Sequence, residues 1–153
     1  MIVPEAPTVH ASAVLVGARA VLIRGLPGSG KSRLALALLD AADSGLLRFA
    51  RLVGDDRILL EACHGRLLAR PAATLAGCIE VRGLGIRRLA FEPVAVVGLV
   101  VDLAAADAER LPAPGGRETI CGIELPRLAV AAGAEALPPV LAYLRAPPTD
   151  ARP

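Results

Sequence analysis

An α/β fold with a central mixed, mostly parallel sheet flanked by helices is predicted by three features of the sequence. An apolar segment at residues 20–24 runs straight into a glycine-rich octapeptide, residues 25–32, and from there into a Leu- and Ala-rich stretch. Residues 94–101 form a continuous apolar run, which suits a strand buried on both faces of a largely parallel sheet. The 153 residues, 54% of them hydrophobic, suffice for one core and are too few for two comfortable domains.

Taken in order, residues 12–16 and 20–24 are apolar runs separated by Gly17, Ala18 and Arg19, a hairpin or two successive strands. After the octapeptide, Leu34, Leu38 and Leu39 share one helical face until Asp43, Ser44 and Gly45 stop the helix. Residues 49–53 make a short strand ending at Gly54, Asp55 and Asp56. Residues 58–61 and 67–69 flank the turn Cys63-His64-Gly65-Arg66 as a second hairpin, with His64 a turn residue. Residues 71–76 suit a short helix, and residues 78–81 a strand leading into the turn Gly83-Leu84-Gly85. The run at 94–103 ends at Asp102. Residues 119–125 and 128–131 read as short strands around Pro126, and Leu137, Val140, Leu141 and Leu144 have helical spacing, with Pro138 and Pro139 restricting the helix to begin near them. The expected organisation is a single domain over residues 1–146 with a Pro-rich, disordered tail at 147–153.

Composition narrows the function. The longest apolar run falls far short of the roughly 20 residues that cross a bilayer, and residues 1–7 lack a basic leader, so a soluble, cytoplasmic protein without membrane association is expected. A net charge of +2, with one Tyr and two Phe for stacking, argues against nucleic acid as a partner. Cys63, Cys78 and Cys121 are odd in number and widely spaced, which suits reduced, mostly buried thiols. Every basic residue other than the two histidines is Arg except one, Lys31.

That lysine lies in Gly25-Leu26-Pro27-Gly28-Ser29-Gly30-Lys31-Ser32, which fits the P-loop pattern GxxxxGK[ST] between a strand and a helix. Each residue has a physical task there. Gly25, Pro27, Gly28, Ser29 and Gly30 form the turn, and Gly28 and Gly30 let backbone amides and the helix N-terminus face an anion with no Cβ in the way. Lys31 sets an ammonium between the β and γ phosphates, and Ser32 offers its hydroxyl to magnesium. The segment therefore predicts a P-loop nucleotide-binding domain with ATP and Mg²⁺ as cofactors. In a generic enzyme of this kind the magnesium-associated acid ends a buried strand, which nominates Asp102 or the pair Asp55 and Asp56; spacing alone does not choose, although two adjacent carboxylates near a metal are costly unless each has a purpose.

Three segments together resemble the HPr kinase/phosphorylase family, in its short form found in some proteobacteria: His10-Ala11-Ser12, Arg51-Leu52-Val53-Gly54-Asp55-Asp56-Arg57, and Ile79-Glu80-Val81-Arg82-Gly83-Leu84-Gly85-Ile86. Residues 118–127 resemble a later stretch more weakly, and Arg33 departs from the acid that commonly follows the GKS. The resemblance implies an ATP-dependent protein-serine kinase, also a phosphorylase, whose partner is an HPr-like phosphocarrier protein of a phosphotransferase system, with a homo-oligomer among its possible assemblies. It implies that Asp55 takes the serine proton and returns it in reverse, that His10 lies near Asp55 and tunes it, and that Asp56 supports metal or phosphate geometry. Glu80 then joins Ser32 at magnesium, Arg82 stands near the transferred phosphoryl group, and Ile86, Arg87 and Arg88 meet the carrier. A P-loop NTPase or regulator without carrier kinase activity, and a small-molecule kinase, are the competing readings.

Overall fold

The computed structural model describes residues 7–113 and 115–146, so the tail expected at 147–153 lies outside the described residues. Strand β1 (Thr8–Val16) turns at Gly17 and Ala18 into β2 (Arg19–Arg24), and the glycine loop leads into α1 (Lys31–Asp43). Then come β3 (Ala50–Gly54), the hairpin β4 (Arg57–Cys63) and β5 (Arg66–Pro71), a 3-10 turn at Ala73–Leu75, and the hairpin β6 (Cys78–Val81) and β7 (Gly85–Arg88). Strand β8 (Ala95–Asp102), the hairpin β9 (Arg117–Ile120) and β10 (Ile123–Ala129), and α2 (Leu137–Arg145) complete the chain.

The sheet is mixed, as expected, but mostly antiparallel, which corrects the parallel-dominated sheet read from the sequence. Among the described strand pairs only β2 with β8 and β8 with β10 run parallel; β1 pairs antiparallel with β2, β3 and β4, and the remaining strand neighbours are antiparallel too. The pairings from β2 through β1, β4, β5 and β8 return to β2, closing a ring. This ring explains the misleading apolar run. Ala95, Val97 and Val100 of β8 point to one core, Leu99 and Val101 to the other, so the strand is buried on both faces while the described helices cover only one of them. A bulge at Gly98, skipped where Ala20 pairs Val97 and Val21 pairs Leu99, shifts the alternation; a Cβ there would lie 2.7 Å from that of Arg19.

Side-chain size follows the two cores. Inside the ring Ala11, Ala13, Ala20, Ala69 and Ala95 leave room for Leu22, Ile58 and Leu67, because a narrow closed sheet admits few large groups. Outside it, α1 buries Leu34, Ala35, Leu38 and Ala41 against Val14, Ile23, Leu52 and Val101, and α2 adds Val140. Both described helices thus flank the sheet on one face. Pro126 falls within β10 instead of separating two strands: pairing with β8 begins only at Arg127, so one flank is open at the residue lacking an N–H. The reversal occurs earlier, at Cys121 and Gly122, with φ of 50° and 78°.

That turn leaves Cys121 exposed, and Cys63 and Cys78 are only half-buried, so the thiols are free but not the buried set expected. His64 and Gly65 have φ of 51° and 76°, the paired left-handed conformation of a tight hairpin turn. No described helix is long and apolar enough to cross a membrane.

Candidate active site

Strand β2 is held by β1 on one edge and by β8 on the other up to Arg24, so the glycine loop springs from a fixed root. Gly28 and Gly30 take φ of 82° and 100°, left-handed geometry that costs a residue with a Cβ roughly 1–2 kcal/mol. Gly30 precedes α1 with no side-chain cap, leaving first-turn amides for an anion. Lys31, 8% exposed, folds back so that Nζ donates to the carbonyls of Gly25 at 2.9 Å and Leu26 at 3.2 Å. Ser29 Oγ is buried and has no hydrogen-bond partner among the described residues. An unsatisfied hydroxyl amid glycine amides and a lysine fits a site built for a polyphosphate.

The end of β3 supplies the acids, and one dihedral separates them. Asp56 has φ of 67°, which reverses the chain between β3 and β4 and sends the successive carboxylates apart; aspartate tolerates this better than most residues. Asp55 turns inward and is 4% exposed. It accepts from Ser12 Oγ at 2.6 Å, from Ser32 Oγ at 2.8 and 2.9 Å, and from the Glu80 N–H at 3.1 Å. Asp56 turns outward with its side chain 65% exposed, 3.9 Å from His10 Nδ1, an ion pair when the imidazole is protonated.

A cavity of about 640 Å³ gathers most of the residues that the sequence singled out: Pro27, the stretch from Gly28 to Ser32, Asp56, Glu80 and Arg82. Asp55 lies behind it through Ser32, and His10 stands beside Asp56, with no hydrogen bond or ion pair to Asp55. The exposed hairpin β6–β7 rises at the rim, presenting Leu84, Ile86, Arg87 and Arg88 to solvent. Ser12 was not assigned a role from the sequence. A serine at an inward-facing place in the apolar β1 run was the available sign of it.

Asp102, the other candidate acid, is committed elsewhere. Its oxygens accept from Arg24 at 2.7 and 2.8 Å and from Arg127 at 2.5 Å; Arg24 also reaches Glu118 and Arg127 reaches Asp107. Burial pushes the Asp102 carboxyl up, but hydrogen bonds from the two guanidiniums outweigh it and hold it below its ordinary value. Both arginines are pushed up in turn, Arg24 chiefly by Asp102 and Arg127 chiefly by Asp107. This network ties the root of the glycine loop to β8 and β10.

Fold and site together define a mixed α/β domain in which carboxylates and a lysine converge on a glycine loop. The chain belongs to the HPr serine kinase family: the model of the HPr serine kinase C-terminal domain matches residues 3–135. An HPr kinase/phosphorylase of Geobacillus thermodenitrificans is 34% identical over 139 residues, 82% of this chain and 43% of that protein. One of Clostridium beijerinckii is 39% identical over 77 residues, 50% of this chain and 23% of that protein. The chain thus spans less than half the length of these curated relatives. The solved structure of the Hpr(Ser) kinase/phosphatase from Coxiella burnetii superposes with a TM-score of 0.70 at 27% identity, covering 91% of this chain and 93% of that one.

Proposed function

We propose that this chain is an ATP-dependent protein-serine kinase, and in reverse a phosphorylase, acting on an HPr-like phosphocarrier protein. The observation that carries this reading is the single cavity shared by the glycine loop, Lys31, Ser32, Asp56, Glu80 and Arg82 beneath an exposed hairpin. The family membership and the names of the relatives support the substrate class.

In this reading the two aspartates exchange the tasks expected from the sequence. Asp55, bonded to Ser32, is the acid on the metal side, and Ser32, Asp55 and Glu80 are the residues that would hold magnesium. The ion, when bound, offsets charge on the β and γ phosphates. Asp56 faces the cavity without a burying partner, so it takes the proton from the carrier serine. The serine oxygen bonds to the γ phosphorus while the bond to the β–γ bridging oxygen breaks, leaving ADP. Lys31 and Arg82 stabilise the charge that develops on the transferred group. In reverse, inorganic phosphate attacks the phosphoserine phosphorus, pyrophosphate forms, and Asp56 returns the proton to the serine oxygen. His10 is the neighbour placed to share that proton.

The test incubates the chain with Mg²⁺, ATP and the HPr-like carrier of its own genome and reads the carrier by mass spectrometry. One added phosphate on serine is expected. ATP consumption with an unmodified carrier would leave the NTPase reading in its place.

A further inference from the structure

Strand β1 changes partner midway. Residues 13–16 pair with β3 and residues 8–10 with β4, so Ala11 and Ser12 meet the two-residue gap between those strands, which is Asp55 and Asp56. The gap is a tight turn: the Arg57 N–H donates to the Asp55 carbonyl at 2.8 Å, and Asp56 between them has φ of 67°. A three-residue turn with positive φ at its centre is a strained form that persists only when its surroundings hold it.

Two successive residues of β1 hold it. The Ala11 N–H donates to the Asp56 carbonyl at 3.2 Å, and Ser12 Oγ accepts from the Asp56 N–H at 3.5 Å. The same hydroxyl donates to Asp55 Oδ1 at 2.6 Å. Ser12 is fully buried, on the strand face it shares with Val14 and Val16 toward the helix-side core. An unbonded hydroxyl is costly in such a place, where a methyl group is not. Here both its donor and its acceptor capacity are spent on the aspartate pair.

We infer that Ser12 is a positioning residue for both aspartates: one hydroxyl aims the Asp55 carboxylate at Ser32 and fixes the backbone of Asp56. Without it Asp55 Oδ1 keeps only the Ser32 hydroxyl, which it shares with Oδ2, and the carboxylate is free to turn away from Ser32 and the Glu80 N–H. Asp56 keeps only the Ala11 bond against the strain of its turn. The tasks of the two acids are those proposed above, whereas the placement rests on the hydrogen bonds alone.

Three variants of the full chain test this. Ser12→Ala removes the hydroxyl, Ser12→Cys keeps the size with a weak donor, and Ser12→Thr keeps the hydroxyl on a residue that strands accept. In the ligand-free chain, hydrogen exchange read by NMR should speed at least about tenfold at the Asp56 and Glu80 amides in the Ala and Cys variants, with Leu22 and Val100 unchanged and Ser12→Thr near the parent. Calorimetry with ATP should show the half-saturating Mg²⁺ concentration rising about three- to tenfold in the same two variants, and Ser12→Ala adding less than about twofold once Asp55→Asn is present. Parent exchange rates at Asp56 and Glu80, or a uniform rise at every amide, would mark Ser12 as an ordinary core hydroxyl and overturn the inference. Additive effects of Ser12→Ala and Asp55→Asn would overturn its action through Asp55. If the unaltered chain binds ATP without regard to Mg²⁺, the metal-side task of Asp55 fails, and the exchange rates still decide the placement. Ser12→Cys serves if Ser12→Ala does not fold.

Discussion

Replacing each aspartate of the pair by asparagine separates two roles that differ by one residue in sequence. The structure sets the folding background first. Asp56 is largely exposed with one neighbour at 3.9 Å, so Asp56→Asn should change stability by no more than about 0.5 kcal/mol. Asp55 is buried, yet asparagine can replace it tolerably. Its carbonyl oxygen can take the position that accepts the Glu80 N–H, and its amide can donate to the Ser12 and Ser32 hydroxyls, which rotate to accept. What is lost is the charge in those bonds, a cost of about 1–2 kcal/mol. Both variants should therefore fold, and activity can be read directly. Asp56→Asn removes the proton acceptor and should slow phosphoryl transfer about 100- to 10,000-fold in both directions, with Mg²⁺-nucleotide affinity unchanged. Asp55→Asn should weaken Mg²⁺-dependent nucleotide binding and raise the Mg²⁺ concentration needed for half-maximal transfer. The assays are thermal unfolding, calorimetric titration with Mg²⁺-ATP, and mass spectrometry of the carrier. Transfer abolished by Asp55→Asn at normal Mg²⁺ affinity, together with near-normal transfer by Asp56→Asn, would refute the exchange of roles and restore the order expected from the sequence.

Three further outcomes are expected. Lys31→Ala removes both the ammonium that meets phosphate and the bonds that pin the carbonyls of Gly25 and Leu26; nucleotide affinity should fall at least about 100-fold by calorimetry, and near-normal affinity would sink the phosphate site. Arg82→Ala, at an exposed position on the cavity rim, should leave nucleotide affinity within about threefold and reduce transfer at least about tenfold, since its charge acts on the reacting group. Asp102→Asn probes acid stability. Because the folded carboxyl titrates below its unfolded value, its contribution is full above the unfolded pKa, about 4, and is lost as pH falls through the folded one. Denaturant titrations should show the unaltered chain losing stability across that acid window, and the variant, weaker at neutral pH, showing a shallower loss.

The sequence was most legible where structure is local. The octapeptide at 25–32, the strand before it and the helix after it need no long-range information, and the strand at 78–81 with its Gly83-Leu84-Gly85 turn is equally self-contained. Sheet direction was not legible, because the run at 94–101 shows burial on two faces without saying what covers them. The β4–β5 hairpin closing back onto β8 does so here, and ring closure depends on pairings far apart in sequence. Which member of the aspartate pair turns inward was hidden for a subtler reason. Which of two adjacent carboxylates faces inward depends on the φ of Asp56, and either would satisfy the same spacing. The alternation in β1 carried a usable clue in Ser12, which is fully buried in an otherwise apolar pattern and selects Asp55 as its partner. The fate of Asp102 was hidden because its arginines come from β2 and β10, which only the fold brings together.

The β6–β7 hairpin forms a two-stranded sheet of its own, joined to the rest near its base by the Glu80 N–H, which donates to Asp55, and by Ile79, buried in the helix-side core, and free toward its tip. Substitutions at Leu84, Ile86 or Arg88 therefore disturb neither the ring nor the glycine loop. If this tip meets the carrier, a lineage can follow drift in its partner's surface by changing a few exposed side chains while the phosphate-handling residues stay under separate selection. Partner choice and chemistry are then inherited as independent traits, and exchanging the tip between relatives should transfer the one without the other.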